Sequence, residues 1–564
     1  MSRFVSFQTI SSVRTPVLEK MEIKLTEVEE QLCTLLDECT KHLSEEKGIN
    51  TSCRIAGGWL LGSDSNDMDI ALTDMMGYAF ALEFNEFASE LKHIPVKAVS
   101  KVKGNPDQSK HLETAKTVIL GIELDFVNLR DEEYAEGSRI PTKVTFGTPL
   151  QDALRRDTTI NSLFYNVHTR LVEDHCEKGL DDLKNGIIRT PLPPKQTFLD
   201  DPLRVIRCVR FASRFGFGMV HELEECARDP EIQTALAQKI TRERVGEEMD
   251  KMMSGHDPLR SLQLIESLSL FSTIFHISPS IASTLSSRPA VTSTSVAAAT
   301  ILQTFINPTR AAFKHPDLHP LLTLQLSAAV LARLHLACAL TPYRAITYMD
   351  HKKKVRPAVE AAIREGLKIG TKNHYLDGIP ALFAAANILK SPEVGSNKLT
   401  TPSERVAIGL MLRDPAVHNP LMDSHWTSSL LFALVQELVP LYDIKKDDFD
   451  VDAAAKCIQI YNDFVSRVEE LGLDRTVDAK PILDGRAVLE TVGAAKMGQW
   501  TGRALAKVIE WQLDHPDGTK EQCAEWLKSE RAAGRLVVED DKTGAGGKRG
   551  KGDVQETAAK KSKR

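Results

Sequence analysis

A Gly57-Gly58 pair ten residues ahead of Asp67-Met68-Asp69 constrains this chain more than any other feature, because the acidic pair lies in an alternating apolar pattern that reads as a strand. Residues two apart in a strand point to the same face, so Asp67 and Asp69 project together while Met68 and Ile70 turn to a core. Parallel carboxylates call for a cation between them. Their hard oxygens suit Mg²⁺, which is held by one or two carboxylates with substrate phosphates and waters completing the shell. Glycines lack Cβ atoms and let the backbone approach a phosphate chain closely, and a helix opening behind them would offer free N–H groups to the anion. Taken alone, the same residues also fit a surface Asp-x-Asp behind a tight turn.

Composition narrows the setting. A chain of 564 residues, 42% apolar and 26% charged, predicts several domains with ample core. The formal net charge is only −6, so a nucleic-acid partner would have to use a local basic surface. Nine scattered cysteines, an odd number with no C-x-x-C pair, argue against a zinc site and a disulfide framework and for free thiols in a reducing compartment. A membrane span is not expected, since no run of about 18 apolar residues occurs. Residues 1–18 contain Arg3 and Arg14, several Ser and Thr and no acid, as a mitochondrial leader does.

Along the chain, Val17 to Leu43 has helical apolar spacing with abundant Glu and Lys. From Thr51 to Val172, strand-like runs such as Thr117–Ile122 and Leu124–Val127 alternate with helical stretches. Beyond Pro202 the pattern is almost wholly helical to about Leu527, with Ile277–Ala298, rich in Ser, Thr and Ala, reading as a surface loop or linker. The end, Asp541–Arg564, is polar and basic and reads as a disordered tail, a nuclear address, an RNA tether or simply a solvated terminus.

Four further segments follow the acidic pair: Lys110-His-Leu-Glu-Thr114, Leu124-Asp125-Phe-Val-Asn-Leu-Arg130, Arg155-Arg156-Asp157-Thr-Thr-Ile-Asn161, and Asp200-Asp201-Pro-Leu-Arg204-Val-Ile-Arg207-Cys-Val-Arg210. In this order they resemble the class II CCA-adding enzymes, the tRNA nucleotidyltransferases of eukaryotes, whose relatives include bacterial poly(A) polymerases. The resemblance covers roughly residues 20–270 and continues more loosely through Val508–Pro516 and Thr519-Lys-Glu521. It implies an α+β fold: a nucleotidyltransferase head with a mixed sheet and helices over 19–172, then an all-helical neck over 173–270 and a helical body and tail over 271–530, with 531–564 as basic tail. It also implies template-independent addition of C, C and A to the 3′ end of tRNA from CTP and ATP with Mg²⁺, in the cytoplasm, nucleus or mitochondrion. A poly(A) polymerase of the same superfamily and a catalytically impaired RNA-binding isoform are the alternatives.

Residue by residue, Asp67 and Asp69 are the expected metal ligands. Glu123 and Asp125 share a strand face, and the resemblance favours Asp125 as a third catalytic carboxylate over a buried structural role. Arg155 and Arg156 supply guanidinium forks suited to phosphate, or else salt bridges to nearby acids. With Asp157 and Asn161 they match the family motif that contacts nucleotide, as do Gly57 and Gly58.

Asp201 and Arg204, three apart on an expected helix, would present an acceptor beside a forked donor. That pairing suits C and A, whose exocyclic amine neighbours a ring nitrogen acceptor, and leaves U or G with unpaired buried groups, a mismatch that discriminates strongly. The resemblance assigns this base-reading role to an acidic-Asp-x-x-Arg motif, whose first position is here Asp200. Arg207 and Arg210 continue the helical face, holding RNA or the pocket, or forming plain ion pairs. Lys110–Thr114 matches a loop that in the family helps switch from C to A, and reads equally as an ordinary hairpin loop. Leu180–Leu183 behind Gly179 and Thr241–Glu248 follow the family pattern and read as mainly structural. No HD-type phosphohydrolase module is expected.

One departure stands out. Family members read Gly-Gly-Trp-Val-Arg-Asp-Lys-Leu-Leu-Gly, whereas here Trp59 runs directly into Leu60-Leu61-Gly62. Four missing residues shorten a helix by about 6 Å and rotate the downstream chain by about 40°. A real deletion that disturbs the anion-binding turn and a mispredicted exon boundary both account for the gap.

Overall fold

The computed structural model describes residues 4–5, 25–57, 67–102, 114–134, 141–324, 326–443 and 445–538. Most of the expected leader, the Gly58–Asn66 segment with the four-residue gap, the Lys110–Glu113 loop and the tail from Glu539 onward lie outside them, whereas Leu536 and Val538 of the expected tail are buried with the last helices. The chain divides into two units, one of residues 1–391 with 415–462 and one of 392–414 with 463–564.

The first helix, α1 (Glu27–Lys47), starts where Thr26 accepts a hydrogen bond from the Glu29 N–H and Glu29 reaches back to the Thr26 N–H, a reciprocal box that satisfies two of the orphan donors of a helix start. It ends at Gly48, whose φ of 65° suits glycine. Its apolar stripe, with Leu32, Leu36 and Leu43, packs with Phe80 and Phe84 of α2 (Gly77–Glu86) on one face of a seven-stranded mixed sheet.

Besides β1 (Phe4–Val5), which pairs elsewhere, the strands are β2 (Cys53–Ala56), β3 (Asp67–Leu72), β4 (Ser100–Val102), β5 (Thr114–Ile119), β6 (Ile122–Asn128), the hairpin β7 (Arg130–Tyr134) and β8 (Pro141–Phe146), β9 (Phe164–Asn166) and β10 (Leu171–Glu173). The sheet order is β10-β9-β2-β3-β6-β5-β4, and within it only β3 and β6 run parallel. Met68, Ile70, Leu124 and Phe126 are buried on the face that α1 and α2 cover. The intervening acids therefore face the other way, as strand alternation requires.

Three expectations are corrected. Thr117–Ile122 is not one strand: Leu120 and Gly121 both take positive φ, 55° and 83°, and turn β5 into β6 as a two-residue hairpin. Ile277–Ala298 is not simply a loop, since from Ser293 it enters a helix running to Ile306 whose Ala297, Ala298 and Ile301 are fully buried; small residues let helices pack closely here. The helical part also carries short strand pairs, Ile187–Ile188 with Gly218–Met219 and Thr347–Met349 with Val355–Pro357.

α3 (Pro149–Leu154) lies between β8 and β9, and beyond β10 come α4 (Gly179–Asn185), α5 (Pro194–Asp200), α6 (Leu203–Phe215), α7 (His221–Arg228), α8 (Pro230–Lys239) and α9 (Arg242–Met253). In the second unit, helices Gly485–Val492, Gln499–Asp514 and Lys520–Ala532 bury Val488, Trp500, Val508 and Leu527 together, and Thr519 caps the last of them.

Phe126 is fully buried with ring centroids 5.3 Å from Phe80 and 5.8 Å from Phe84. Phe126→Ala is expected to destabilise the first unit by about 3–5 kcal/mol, read from denaturant unfolding.

Candidate active site

Parallel pairing of β3 with β6 sets Asp67 beside Glu123 and Asp69 beside Asp125. The structure thus brings Asp69 and Asp125 to adjacent strands, about 4.8 Å apart in backbone spacing, on the face away from the α1 and α2 core. Burial first, then the Asp125 carboxylate and also Asp67, push the Asp69 pKa up, although its surface remains open to solvent. Lys116 of β5 offsets part of this repulsion from 3.2 Å off Asp125 Oδ2 and 3.5 Å off Glu123.

The buried Oδ1 of Asp125 has no hydrogen-bond partner. A partnerless buried carboxylate oxygen beside two more acids suits a hard cation. Among the described residues, no three His, Cys, Asp or Glu side chains gather tightly enough to hold a metal by themselves. The carboxylates therefore fit a cation whose shell is completed by substrate phosphates and water, as for Mg²⁺.

Gly57 ends β2 with φ 79°, a conformation that disfavours any side chain. A Cβ there would stand 3.6 Å from Asn161 Oδ1 and 3.7 Å from Asp69 Oδ2, so the turn, the nucleotide motif and the acidic pair converge on one spot. Gly58 lies outside the described residues.

Asn161 is placed by Asp157, whose Oδ1 accepts its amide at 2.9 Å. Asp157 is buried, and burial alone would raise its pKa, yet Arg207 and the Asn161 amide outweigh that and hold it down to about 2. The 160–162 turn is further fixed by Asp182 of α4, which accepts from the Thr159 hydroxyl at 2.7 Å and from Arg189 at 3.0 Å.

Arg155 and Arg156 do not reach outward as free forks. Both clasp Asp152, three and four positions earlier and 1% exposed: Arg155 Nε donates to Oδ1 at 2.8 Å, and Arg156 Nε and Nη2 donate to Oδ2 at 2.9 and 2.8 Å. The Arg130 N–H adds a bond at 3.0 Å. Against its burial, Arg156 and Arg155 hold Asp152 at about 2. Arg155 also meets Glu132 at 3.2 Å, and Arg156 lies 4.8 Å over the Phe164 ring and donates to the Asn161 carbonyl at 3.1 Å. The pair thus forms the ion pairs that the sequence allowed.

Asp201 does not sit on a helix beside Arg204. It follows α5 with extended backbone (φ −137°, ψ 98°), and α6 begins only at Leu203, because Pro202 sterically bars its predecessor from helical geometry. Asp201 Oδ1 accepts the Leu203 N–H at 3.1 Å, and Oδ2 accepts Arg244 of α9 at 2.9 Å. Arg204 is buried, donating to the carbonyls of Arg155 at 2.5 Å and Thr197 at 3.5 Å. Asp200, half-buried, has its pKa raised by burial. Each Asp201 oxygen keeps a second lone pair and Arg204 keeps unused N–H groups. Arg207 joins Asp157 at 2.5 Å, and Arg210 joins buried Glu248 of α9 at 2.5 Å.

Four contributors were missed or undervalued in the sequence. Asp152 stands at helical spacing before Arg155 and Arg156, a legible ion-pair signal. Lys116 falls opposite Asp125 once the Leu120-Gly121 turn sets the register. Arg244 and Glu248, read as structural, are the partners of Asp201 and of Arg210 on α6.

Residues 53–189 match the family model described as the poly A polymerase head domain, and 233–285 match a probable RNA and SrmB-binding site of polymerase A. The mitochondrial CCA tRNA nucleotidyltransferase of Saccharomyces cerevisiae is 36% identical over 91% of this chain and 95% of its own length. Schizosaccharomyces pombe tRNA nucleotidyltransferase cca1 is 31% identical over 88% and 95%. In fold, the chain is similar to the Bacillus stearothermophilus CCA-adding enzyme in complex with CTP (TM-score 0.53, 17% identity, 91% and 99% covered) and to the Thermotoga maritima CCA-adding enzyme complexed with tRNA (TM-score 0.51, 16% identity, 94% and 100% covered).

Asp152→Ala would strand two arginines and is expected to destabilise the fold by about 3–5 kcal/mol. Asp152→Asn, keeping the volume, should lower turnover by about 100-fold through misplaced arginines. A depressed carboxylate stabilises above its unfolded pKa of about 3.9 and loses that contribution as pH falls through about 2. Acid titration followed by circular dichroism is expected to show the variant losing the part of the acid transition between about pH 4 and pH 2.

Proposed function

We propose, from the premise that this chain belongs to the family of CCA tRNA nucleotidyltransferases, that it adds C, C and A to the 3′ end of tRNA from CTP and ATP without a nucleic-acid template. The observation that carries the reading is the convergence of Gly57, Asn161, Asp69 and Asp125 at one end of the sheet. In this reading residues 19–172 are the catalytic head, 173–270 the nucleotide-selecting neck and 271–530 the tRNA-binding body and tail.

Asp67 and Asp69, with the partnerless Oδ1 of Asp125 beside them, would hold Mg²⁺. When bound, that ion neutralises triphosphate charge and favours ionisation of the attacking 3′ hydroxyl. The chain itself does the positioning. Gly57 lets its backbone come close to phosphate, and Asn161, oriented by Asp157, offers its amide to the nucleotide sugar. Arg156, anchored on Asp152 beside Arg155, holds a fixed positive charge that acts on Asp69 and loses no side-chain freedom when the nucleotide arrives.

Base choice falls to Asp201 and Arg204. Arg244 fixes the Asp201 carboxylate and the Arg155 carbonyl fixes the Arg204 guanidinium, so the reader of the base is tied to the arginine motif. A carboxylate facing an exocyclic amine and a guanidinium facing a ring nitrogen accept C and A and penalise U and G. The S. cerevisiae and Candida glabrata relatives are named mitochondrial, which together with the acid-free leader supports a mitochondrial place of work.

With Mg²⁺ and a tRNA lacking its last three nucleotides, the purified chain is expected to add three residues in the order C, C, A and to reject U and G. A long run of A would instead identify a poly(A) polymerase. Binding without addition, restored by inserting Val-Arg-Asp-Lys after Trp59, would identify the impaired isoform. Asp69→Asn should cut addition more than about 100-fold, since metal-held charge is worth several kcal/mol in such a transition state. Asp201→Ala should raise misincorporation of U and G relative to C and A, measured with each labelled nucleotide singly.

A further inference from the structure

Arg207, Arg210 and Arg214 follow one another on a single face of α6, and the last two open onto a cavity of about 550 Å³ away from the acidic pair. Its other wall is the end of α9 and the turn behind it, with Lys251, Ser254 and His256.

The acids along this wall are already committed. Glu248 is buried and meets Arg210 at 2.5 Å, Lys251 at 3.1 Å and Arg207 at 3.6 Å. Asp257, also buried, meets Arg310 at 2.9 Å and accepts the Arg260 N–H. Asp157 is taken by Arg207. Five cations (Arg207, Arg210, Arg214, Lys251 and Arg310) thus face three carboxylates (Asp157, Glu248 and Asp257), an excess of two positive charges with His256 neutral.

Arg214 is where that excess surfaces. Among the described residues no carboxylate pairs with it; its guanidinium lies 5.3 Å over the Phe215 ring, and burial and the neighbouring Arg210 both disfavour its charge. An anion would relieve that repulsion. The N–H groups of Ser254 and Gly255 are used on the Asp250 and Met252 carbonyls, so any such anion is held by side chains.

We propose that this cavity is a subsite for a backbone phosphate of the tRNA strand behind its growing end, held by Arg214 with Lys251 and His256. The proposal rests on the tRNA reading given above. Ten residues of helix separate Arg214 from Arg204, the proposed reader of the base, about 15 Å along the axis, which is too far for the same nucleotide to touch both and leaves the cavity to a neighbouring part of the strand. Among the described residues no Phe, Tyr or Trp lines the cavity, which suits a phosphate, a contact that sets register without reading sequence.

The test compares the full chain with Arg214→Ala and Arg214→Gln, using a tRNA lacking its 3′ CCA, across a salt series. Loss of one charged contact is expected to raise the KM for tRNA and the tRNA Kd about tenfold. The slope of log affinity against log salt should become shallower by about 0.7–0.9. The KM for CTP and kcat at saturating tRNA should stay unchanged, and Arg214→Lys should recover most of the binding. An unchanged tRNA Kd and salt slope in both folded variants would overturn the proposal, and so would a rise in the KM for CTP with that for tRNA unchanged, which would assign the cavity to free nucleotide. Wild-type chain that adds no nucleotide would sink the functional reading instead, while the salt slopes would still decide the subsite.

Discussion

Two carboxylates buried among arginines, Asp152 and Asp157, carry the arrangement around the acidic pair. Taking such ions out of water costs about as much as their pairing returns, so they add little net stability, but removing one partner leaves a stranded charge. What they supply is a unique geometry. Asp152 turns two long, flexible side chains into fixed parts of the head, and Asp157 joins Asn161 in the head to Arg207 on α6. From Arg207 and Arg210 the contacts pass to Glu248 on α9, and α9 returns through Arg244 to Asp201. The sheet region and the helices α6 and α9 are therefore coupled through charge pairs that tolerate few alternative arrangements.

The acidic pair is built on the opposite principle. Parallel pairing forces Asp69 and Asp125 together, and the protein relieves the strain only in part, through Arg156 and Lys116. The site is left electrostatically unfinished by its own residues, which is the property the proposed metal-assisted chemistry requires. The packed face of the same strands, with Met68, Ile70, Leu124 and Phe126, resists the repulsion that the polar face creates.

Much of this was legible in the sequence because it depends on period. Alternation in Asp67–Leu72 sorted acids from apolar residues, and the motif order located the residues that converge. The Thr26-x-x-Glu29 box marks the start of α1, although helical spacing alone ran the expected helix from Val17. What was hidden depends on contacts between distant segments. Helical spacing joined Asp201 to Arg204, whereas Pro202 and Arg244 decide where Asp201 goes. That Arg155 and Arg156 are anchored on Asp152 emerges only once the burial of Asp152 is known. Leu120-Gly121 was absorbed into a strand because only one of its two positive-φ positions is glycine.

The single parallel pairing in the sheet has a consequence for how the protein comes into being. Asp69 and Asp125 are 56 positions apart in sequence, yet the strands bearing them are neighbours, and β2 at their side needs β9, which is made later still. Antiparallel neighbours such as β5 and β6 close as soon as their turn leaves the ribosome. The parallel pair must wait for a long loop to close, at an entropic cost that grows only slowly with its length. A nascent or truncated chain ending before β6 holds Asp67 and Asp69 without Asp125, α6 or α9, so the acidic site stays incomplete until the later segments are made.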